Sequence, residues 1–184
     1  MVCVNVLTLF YENGRGHELS RTLDWVENVL VNRAYISGTY YYVSADQFLF
    51  FLSRFLRAAP EVCPRLAPTF KERVLERFGV EADPLSLAAR ISAATAVEIV
   101  DQRDLETLLS RQCEDGSWDS GWFYKYGASG ILIRNDGVTT AFAIRAIQEV
   151  EILQEVRSKS VIKTQDPLTV AVGHLLSIRH YLGF

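Results

Sequence analysis

The sequence predicts an all-α fold of about four helical hairpins. Its 184 residues suffice for one domain, and 49% hydrophobic and 22% charged residues are typical of globular proteins. Apolar side chains recur at intervals of three and four residues, which is the spacing of amphipathic helices. Apolar helices are expected to begin near residues 2, 45, 85 and 138, and a more polar helix follows each of them. Such a repeat is typical of a helical solenoid or an α/α toroid, although an up-down bundle alternates similarly.

The first hairpin consists of an apolar helix over residues 2–11 and an amphipathic helix over residues 18–33. Gly14 and Gly16 lie between them, and glycine commonly ends helices because it adopts left-handed backbone conformations easily. On the second helix, Trp25 is expected to face the core together with the apolar positions spaced around it.

The second hairpin begins after the tyrosine-rich segment 35–43. This segment could form a short strand, but Ser44–Gln47 has the pattern of a capping box that opens a helix, so we assign residues 35–43 to a loop. The helix over residues 45–57 is apolar around most of its circumference, which is typical of a helix inside a large fold. The helix over residues 61–78 alternates charged and apolar side chains, which is typical of a helix with one solvent-exposed face.

The second half of the chain contains a long loop between two further hairpins. The predicted elements are helices over residues 84–100 and 103–112, a loop over residues 113–137, and helices over residues 138–157 and 167–181. Asp83 followed by Pro84 is an N-cap with proline at the first helical position. Asp166 caps the last helix, on which His174 and His180 are interpreted as structural residues.

The charge and the cysteine content exclude several classes of protein. A net charge of −3 and a pI of about 5.6 argue against a general nucleic-acid binder. Three cysteines and three histidines lack the spacing of a disulfide framework or a zinc site, so no metal and no cofactor is expected. The apolar N-terminal segment lacks the basic leader of a signal peptide, and Arg54 interrupts the most apolar segment, which is too short to span a membrane. We therefore expect a cytoplasmic protein without a membrane span.

The most distinctive segment runs from Leu108 to Trp118 and reads Leu-Leu-Ser-Arg-Gln-Cys-Glu-Asp-Gly-Ser-Trp. It resembles the Gln–Trp repeat of the squalene–hopene and oxidosqualene cyclases, which also occurs in class II diterpene cyclases and protein prenyltransferase β-subunits. The residues that carry the resemblance are Gln112, Gly116 and Trp118. The resemblance implies a structural role, in which the glutamine caps a helix end, the indole lies against it and the glycine permits a tight turn. Asp115–Gly116 alone is also an ordinary turn signal.

The segment that follows, Gly137–Ile147, resembles the Thr-Ala-rich inner helix that comes after this repeat in the same proteins. The complete sequence is similar to fungal members of this superfamily. The resemblance implies an α/α toroid, which needs on the order of 250 residues for about six hairpins at this repeat length. We therefore expect residues 1–184 to form a single domain that is the C-terminal part of an incomplete toroid.

The resemblance does not extend to a catalytic acid. Class II cyclases protonate an alkene or epoxide with the central Asp of an Asp-x-Asp-Asp motif, commonly followed by Thr-Ala, and the sequence contains no such motif. Aligning Thr140–Ala141 with that Thr-Ala places Val138 and Thr139 at acid positions. Asp136 is close by, but it is interpreted as a helix-capping carboxylate rather than as a displaced acid. The Asp-Asp-x-x-Asp motif of class I enzymes and the zinc ligands of the prenyltransferases are also missing.

Aromatic residues of the two long loops are candidates for the lining of a cavity. These residues are Tyr41, Trp122, Tyr124 and Tyr126. Aromatic faces stabilise carbocations without offering a base that would quench them. The alternative is that they pack the loops against helix ends.

The resemblance thus implies a domain like those of class II terpene cyclases of the squalene/hopene or diterpene type, without a recognisable acid, and an isoprenoid substrate. The alternative is a non-catalytic helical scaffold that binds a protein partner or a lipid. We expect an apolar first helix to drive self-association or contact with an upstream segment.

Overall fold

The computed structural model describes residues 1–164, with side chains for residues 1–160. This range contains seven α-helices and one β-hairpin, which confirms the prediction of an all-α fold. The helices are α1 (Val2–Glu12), α2 (Ser20–Val31), α3 (Ala45–Ala58), α4 (Cys63–Leu75), α5 (Pro84–Thr95), α6 (Gln102–Ser110) and α7 (Asp136–Thr164). The strands are β1 (Trp122–Tyr126) and β2 (Ile131–Arg134). The helix predicted over residues 167–181, with Asp166, His174 and His180, lies outside the described residues.

The chain divides into two compact units, Met1–Val150 and Glu151–Phe184. In the second unit, the described residues form the last turns of α7, where Lys159 pairs with Glu155 at 3.4 Å. All of the features below belong to the first unit.

Apolar and polar helices occupy two layers of the first unit. The apolar helices α1, α3 and α5 pack side by side in chain order, while α2 and α4 pack against them and against each other, and α6 packs on α5. Apolar side chains of α7 lie against α5 and α6. The starts predicted for the four apolar helices agree with the observed starts to within two residues. Ser44, Asp83 and Asn135 accept hydrogen bonds at the N-termini of α3, α5 and α7, whereas α1 begins at Val2 without a side-chain cap.

The central helix α3 is the most buried part of this layer together with α5. Ser44 caps it by accepting a hydrogen bond from the backbone N–H of Asp46. The reciprocal half of the predicted capping box is absent: Gln47 Oε1 is buried without a hydrogen-bond partner, while the amide nitrogen of Gln47 donates to the carbonyl of Trp122 at 2.9 Å. Gln47, which the sequence pattern assigned to a local capping box, thus makes a long-range contact with β1.

Two hydrophobic clusters make up the core. The larger one joins α1–α4, with the side chains of Leu7, Phe55 and Phe70 fully buried. The smaller one joins α5, α6 and α7 around Trp118. The small residues Ala88, Ala143 and Ala146 are fully buried in this second cluster.

A buried charged cluster connects α3, α5 and α6. Arg90 on α5 is fully buried and contacts Asp46 on α3 at 3.3 Å and Asp104 on α6 at 2.7 Å. Arg77 pairs with the same Asp46 carboxylate through two hydrogen bonds of 3.0 Å. Burial, followed by the neighbouring Asp101, raises the pKa of Asp104 to about 6 against the opposing effect of Arg90.

The structure differs from the sequence predictions at three places. The segment predicted as an uninterrupted loop over residues 113–137 contains the antiparallel hairpin β1–β2. The helix predicted to reach about residue 100 ends at Thr95, and Glu98 shortly after it has a positive φ of 58°. Trp25, expected in the core, is 54% exposed.

No helix in the described range is long and apolar enough to cross a membrane.

Candidate functional site

The segment after α6 folds back on itself between Gln112 and Trp118. These two residues form an isolated antiparallel β-bridge, and the Gln112 side chain donates to the carbonyl of Gly116 at 3.0 Å. Gly116 has a φ of +86°, a conformation that favours glycine. Gln112 therefore closes its own turn, whereas the resemblance implied that it would cap a neighbouring helix.

Trp118 makes the contacts that join this turn to the helices. It is only 2% exposed, and its indole N–H donates to the carbonyl of Leu108 at 2.8 Å, in the last turn of α6. Its backbone N–H donates to the Thr140 hydroxyl on α7 at 3.1 Å. The indole thus gives the Leu108 carbonyl a second hydrogen bond, beside the one from the backbone N–H of Arg111, and packs among side chains of α5, α6 and α7.

Thr139 and Gly121 connect the same segment to the start of α7. The buried Thr139 hydroxyl accepts from the backbone N–H of Gly121 at 3.0 Å and donates to the carbonyl of Asn135 at 3.1 Å. A Cβ atom at Gly121 would lie 2.4 Å from both Asp83 Oδ1 and Leu85 Cβ, so the backbone approaches α5 as only glycine allows.

Val138 and Thr139, the residues aligned with the acid positions of the class II cyclases, have no acidic side chain. Thr139 binds Gly121, and the partly exposed Val138 carries no polar group. Asp136 is the exposed first residue of α7, but the N-terminal hydrogen bond to the Val138 N–H is accepted by Asn135 at 2.9 Å. The capping role expected of Asp136 therefore belongs to Asn135, while the Asp136 carboxylate lies at the positive end of the helix dipole.

The aromatic candidates of the two loops meet each other. Tyr41 stacks on Tyr124 with ring centroids 5.8 Å apart and planes 4° from parallel, and Tyr42 contacts Tyr124 edge to face at 5.9 Å. The backbone N–H of Lys125 donates to the Tyr41 carbonyl at 2.7 Å. Partial desolvation raises the pKa of Tyr124, and the neighbouring tyrosines add to the effect.

Ring contacts continue from these tyrosines into the helices. Tyr42 contacts Phe51, Phe51 contacts Phe50, and the Phe50 and Phe142 rings lie 4.8 Å apart. We call the seven residues connected in this way the aromatic cluster: Tyr40, Tyr41, Tyr42, Phe50, Phe51, Tyr124 and Phe142. Phe50 and Phe142 were not predicted as site residues, because nothing in one sequence shows that α3 and α7 bring them together.

Cations lie over three aromatic rings at the margin of this region. Lys125 Nζ lies 5.6 Å from the Tyr40 ring centroid, and the guanidinium of Arg145 lies 5.5 Å from that of Phe50. Arg134 lies 5.7 Å from the ring centroid of Trp122. Trp122 and Tyr126 are themselves exposed, as is Tyr41, so these three predicted lining residues form surface rather than an enclosed cavity in this chain.

The described residues contain no group of histidine, cysteine, aspartate or glutamate side chains that could hold a metal ion. Cys3, Cys63 and Cys113 are free thiols.

The chain is similar to a fungal enzyme. It is 47% identical over 149 residues to drimenol cyclase drtB of Aspergillus calidoustus, and the match covers 80% of this chain but 28% of that enzyme. The chain thus spans under a third of the length of the curated relative it matches. No protein-family model matches the chain. No solved structure matches it.

This similarity bears on the class of protein. This all-α chain is 47% identical to a cyclase over 80% of the chain's own length. In sequence it is therefore terpene-cyclase-like, as the resemblance implied. Its toroid architecture and its Gln–Trp repeat remain predictions.

Proposed function

We propose that this chain is a domain of the class II terpene cyclase type and forms the C-terminal part of an α/α toroid. The observation that carries the proposal is the similarity to a drimenol cyclase along four fifths of the chain. Two features of the structure support it. The apolar helices α1, α3 and α5 form one layer with polar helices packed against it, and Trp118 links the end of α6 to α7.

The Gln112–Trp118 segment acts as a structural repeat in this proposal. Gln112 closes the turn and Trp118 joins three helices, so neither side chain is positioned for chemistry. The segment maintains the packing of α6 against α7, and α7 carries Phe142 into the aromatic cluster.

The proposed substrate class is an isoprenoid, for which the aromatic cluster supplies ring faces. Such faces stabilise positive charge that develops along a hydrocarbon chain. The chain itself supplies no acid at the positions equivalent to the cyclase acid, because Val138 and Thr139 stand there. Since a positioned general acid contributes roughly 10²–10⁴-fold to a rate, the chain alone is expected to bind an isoprenoid without cyclising it.

Incubation with squalene, oxidosqualene and geranylgeranyl diphosphate tests the proposal. We expect these compounds to be recovered unchanged, as judged by gas chromatography with mass spectrometry after phosphatase treatment. A cyclic product that the Asp136→Asn variant no longer makes would show that the exposed Asp136 is an acid after all.

A binding measurement separates the proposal from the alternative of a non-catalytic scaffold. We expect geranylgeranyl diphosphate to bind, and Tyr124→Ala, which removes the ring between Tyr41 and Tyr42, to weaken binding several-fold. Trp25→Ala is the matched control, because Trp25 is an exposed aromatic of α2 outside the cluster. Absence of binding for every isoprenoid, together with recovery of a protein partner, would favour the scaffold.

A further inference from the structure

The β-hairpin over residues 121–134 exposes an unusual amount of apolar surface. Tyr126 and Ile131 are 62% and 59% exposed, on either side of the turn. Its exposed large apolar side chains are Trp122, Phe123, Tyr126, Ile131, Leu132 and Ile133. Apolar surface of this extent on one short element usually marks a contact with a partner or with lipid.

Both faces of this hairpin carry exposed side chains, although Tyr124 in the middle of β1 packs against Tyr41 and Tyr42. Tyr126 opposes Ile131 on one face, and Lys125 opposes Leu132 on the other. All four residues of β2 are exposed. The hairpin therefore presents exposed apolar side chains in two directions, mainly from β2 and from the end of β1 next to the turn.

Hydrogen bonds fix strand β1 of the hairpin, whereas all of β2 is exposed. The backbone N–H of Trp122 donates to Asp83 Oδ2 at 3.2 Å, and its carbonyl accepts from the Gln47 side chain at 2.9 Å. The N–H of Lys125 binds the carbonyl of Tyr41. A partner that takes up the tip therefore meets a hairpin that is already ordered.

The charge of the hairpin is opposite to that of the rest of the chain. Residues 121–134 contain Lys125 and Arg134 and no acidic residue, which gives +2, whereas the whole chain carries −3 and the remainder therefore −5. Within the described residues, no carboxylate pairs with either cation; each lies over an aromatic ring instead. This arrangement leaves both cations available to an anionic surface.

We propose that the tip of this hairpin inserts into the interface of an anionic lipid bilayer. Indole and phenol rings partition to the boundary between headgroups and acyl chains, and aliphatic side chains at the turn reach below it. Lys125 and Arg134 bind the headgroup phosphates and carboxylates, while their aliphatic stems lie along the apolar side chains. The negative charge of the remaining chain orients the hairpin toward the membrane and the helices away from it.

A second copy of the chain fits these observations less well. Pairing of two β2 edges would satisfy the open backbone groups of a four-residue strand. It would leave the apolar side chains of both hairpin faces in water, and it would give Lys125 and Arg134 no anionic partner.

The test is co-sedimentation of the full chain with vesicles of phosphatidylcholine, with and without phosphatidylserine. We expect binding to the anionic vesicles and weaker binding to the neutral ones. Lys125→Gln/Arg134→Gln should lower the partition coefficient for anionic vesicles by roughly tenfold or more, since each cation near such a surface contributes favourably. Arg54→Gln/Lys71→Gln, two exposed positions on α3 and α4, is the matched charge control.

A second pair of variants tests the apolar contribution. Ile131→Ser/Leu132→Ser should reduce binding to both kinds of vesicle, whereas Leu75→Ser/Leu109→Ser, which changes two exposed leucines on other elements, should not. Circular dichroism checks that each variant is folded. Equal vesicle binding by hairpin and control variants would overturn the proposal. A hairpin-dependent dimer without affinity for vesicles would also overturn it and would identify the second copy as the occupant.

Discussion

At the level of single residues, Trp118 is expected to be among the most sensitive positions. Trp118→Ala should lower the free energy of unfolding by about 3–5 kcal/mol, because it removes a fully packed indole and leaves a cavity. It also removes the donor to the Leu108 carbonyl. Urea denaturation followed by circular dichroism measures the change.

Trp25→Ala is the control for this substitution. Trp25 is 54% exposed, so its truncation should change stability by no more than about 0.5 kcal/mol. Equal effects of the two substitutions would contradict the structural role assigned to the Gln112–Trp118 segment.

A second prediction concerns the protonation of Asp104. Its pKa is about 6 in the folded chain and 3.8 without perturbation, so the folded state takes up a proton at a higher pH than the unfolded state does. The resulting stabilisation is complete below pH 4 and is lost as the pH rises through 6. We expect the stability of the wild type relative to Asp104→Asn to increase by roughly 1–3 kcal/mol between pH 7 and pH 4.

Denaturant titrations of both proteins at several pH values measure this difference. The comparison with Asp104→Asn removes the contributions of other carboxylates, such as Glu76, whose pKa is lowered by its hydrogen bond with Arg33 and by Arg73. A stability difference that does not change with pH would show that Arg90 keeps Asp104 ionised throughout.

The sequence predicted residue types better than residue partners. The sequence analysis assigned Trp118 a structural role. It did not predict the hydrogen bond from Trp118 to α6 or the bond by which Gln112 closes its own turn, because both depend on how the chain folds back after α6. Trp25 was placed in the core because it lies on an amphipathic helix, yet its position falls on the outer side. The role of Arg90 was not predicted from the sequence, because no local pattern shows that its carboxylate partners come from α3 and α6.

At the level of secondary-structure elements, Arg90 holds three helices together. Arg90→Ala should cost about 3–5 kcal/mol, because it leaves Asp104 and part of Asp46 buried without their cation. Arg65→Ala is the matched control: Arg65 pairs with Asp24 and Glu27 at the surface, where an ion pair contributes at most about 1 kcal/mol. Thermal or urea unfolding of both variants distinguishes the two cases, and a similar loss in both would refute the importance of the buried cluster.

Helices were predictable at this level and the hairpin was not. The helical periodicity and the caps Ser44, Asp83 and Asp101 determine where α3, α5 and α6 begin, so these starts follow from local sequence. The strands β1 and β2 are held by long-range contacts instead, among them Gln47 with Trp122 and the close approach of Gly121 to Asp83. Such contacts leave no periodic signal in the segment 113–137.

At the level of the whole molecule, the alternation of apolar and polar helices along the sequence corresponds to two layers in the structure. The apolar helices α1, α3 and α5 are neighbours in one layer, an arrangement that is compatible with each of the repeat architectures that the sequence left open. The closed or open form of a toroid is not a local property. It depends on how many hairpins are present and how each rotates relative to the next, and neither quantity is encoded in a single repeat.

The last prediction concerns self-association of the isolated chain. Val4 and Leu7 on α1 face the core, but Val2 and Leu9 on the other side of this helix are 62% and 57% exposed, with Val6 between them. A helix that is apolar on two faces buries only one of them in a monomer, so we expect the chain to form dimers or larger species at tens of micromolar. Sedimentation velocity measures the distribution.

Substitution on the exposed side of α1 tests whether this face is responsible. Val6→Ser/Leu9→Ser should shift the population toward monomer, whereas Leu75→Ser/Leu109→Ser should leave it unchanged, because those leucines are single exposed residues on separate helices. The hairpin variant Ile131→Ser/Leu132→Ser should likewise leave it unchanged, since its proposed partner is a membrane. A wild-type chain that sediments as a monomer and binds little hydrophobic dye would show that the exposed side of α1 tolerates water, and the apolar pattern of this helix would then need another explanation.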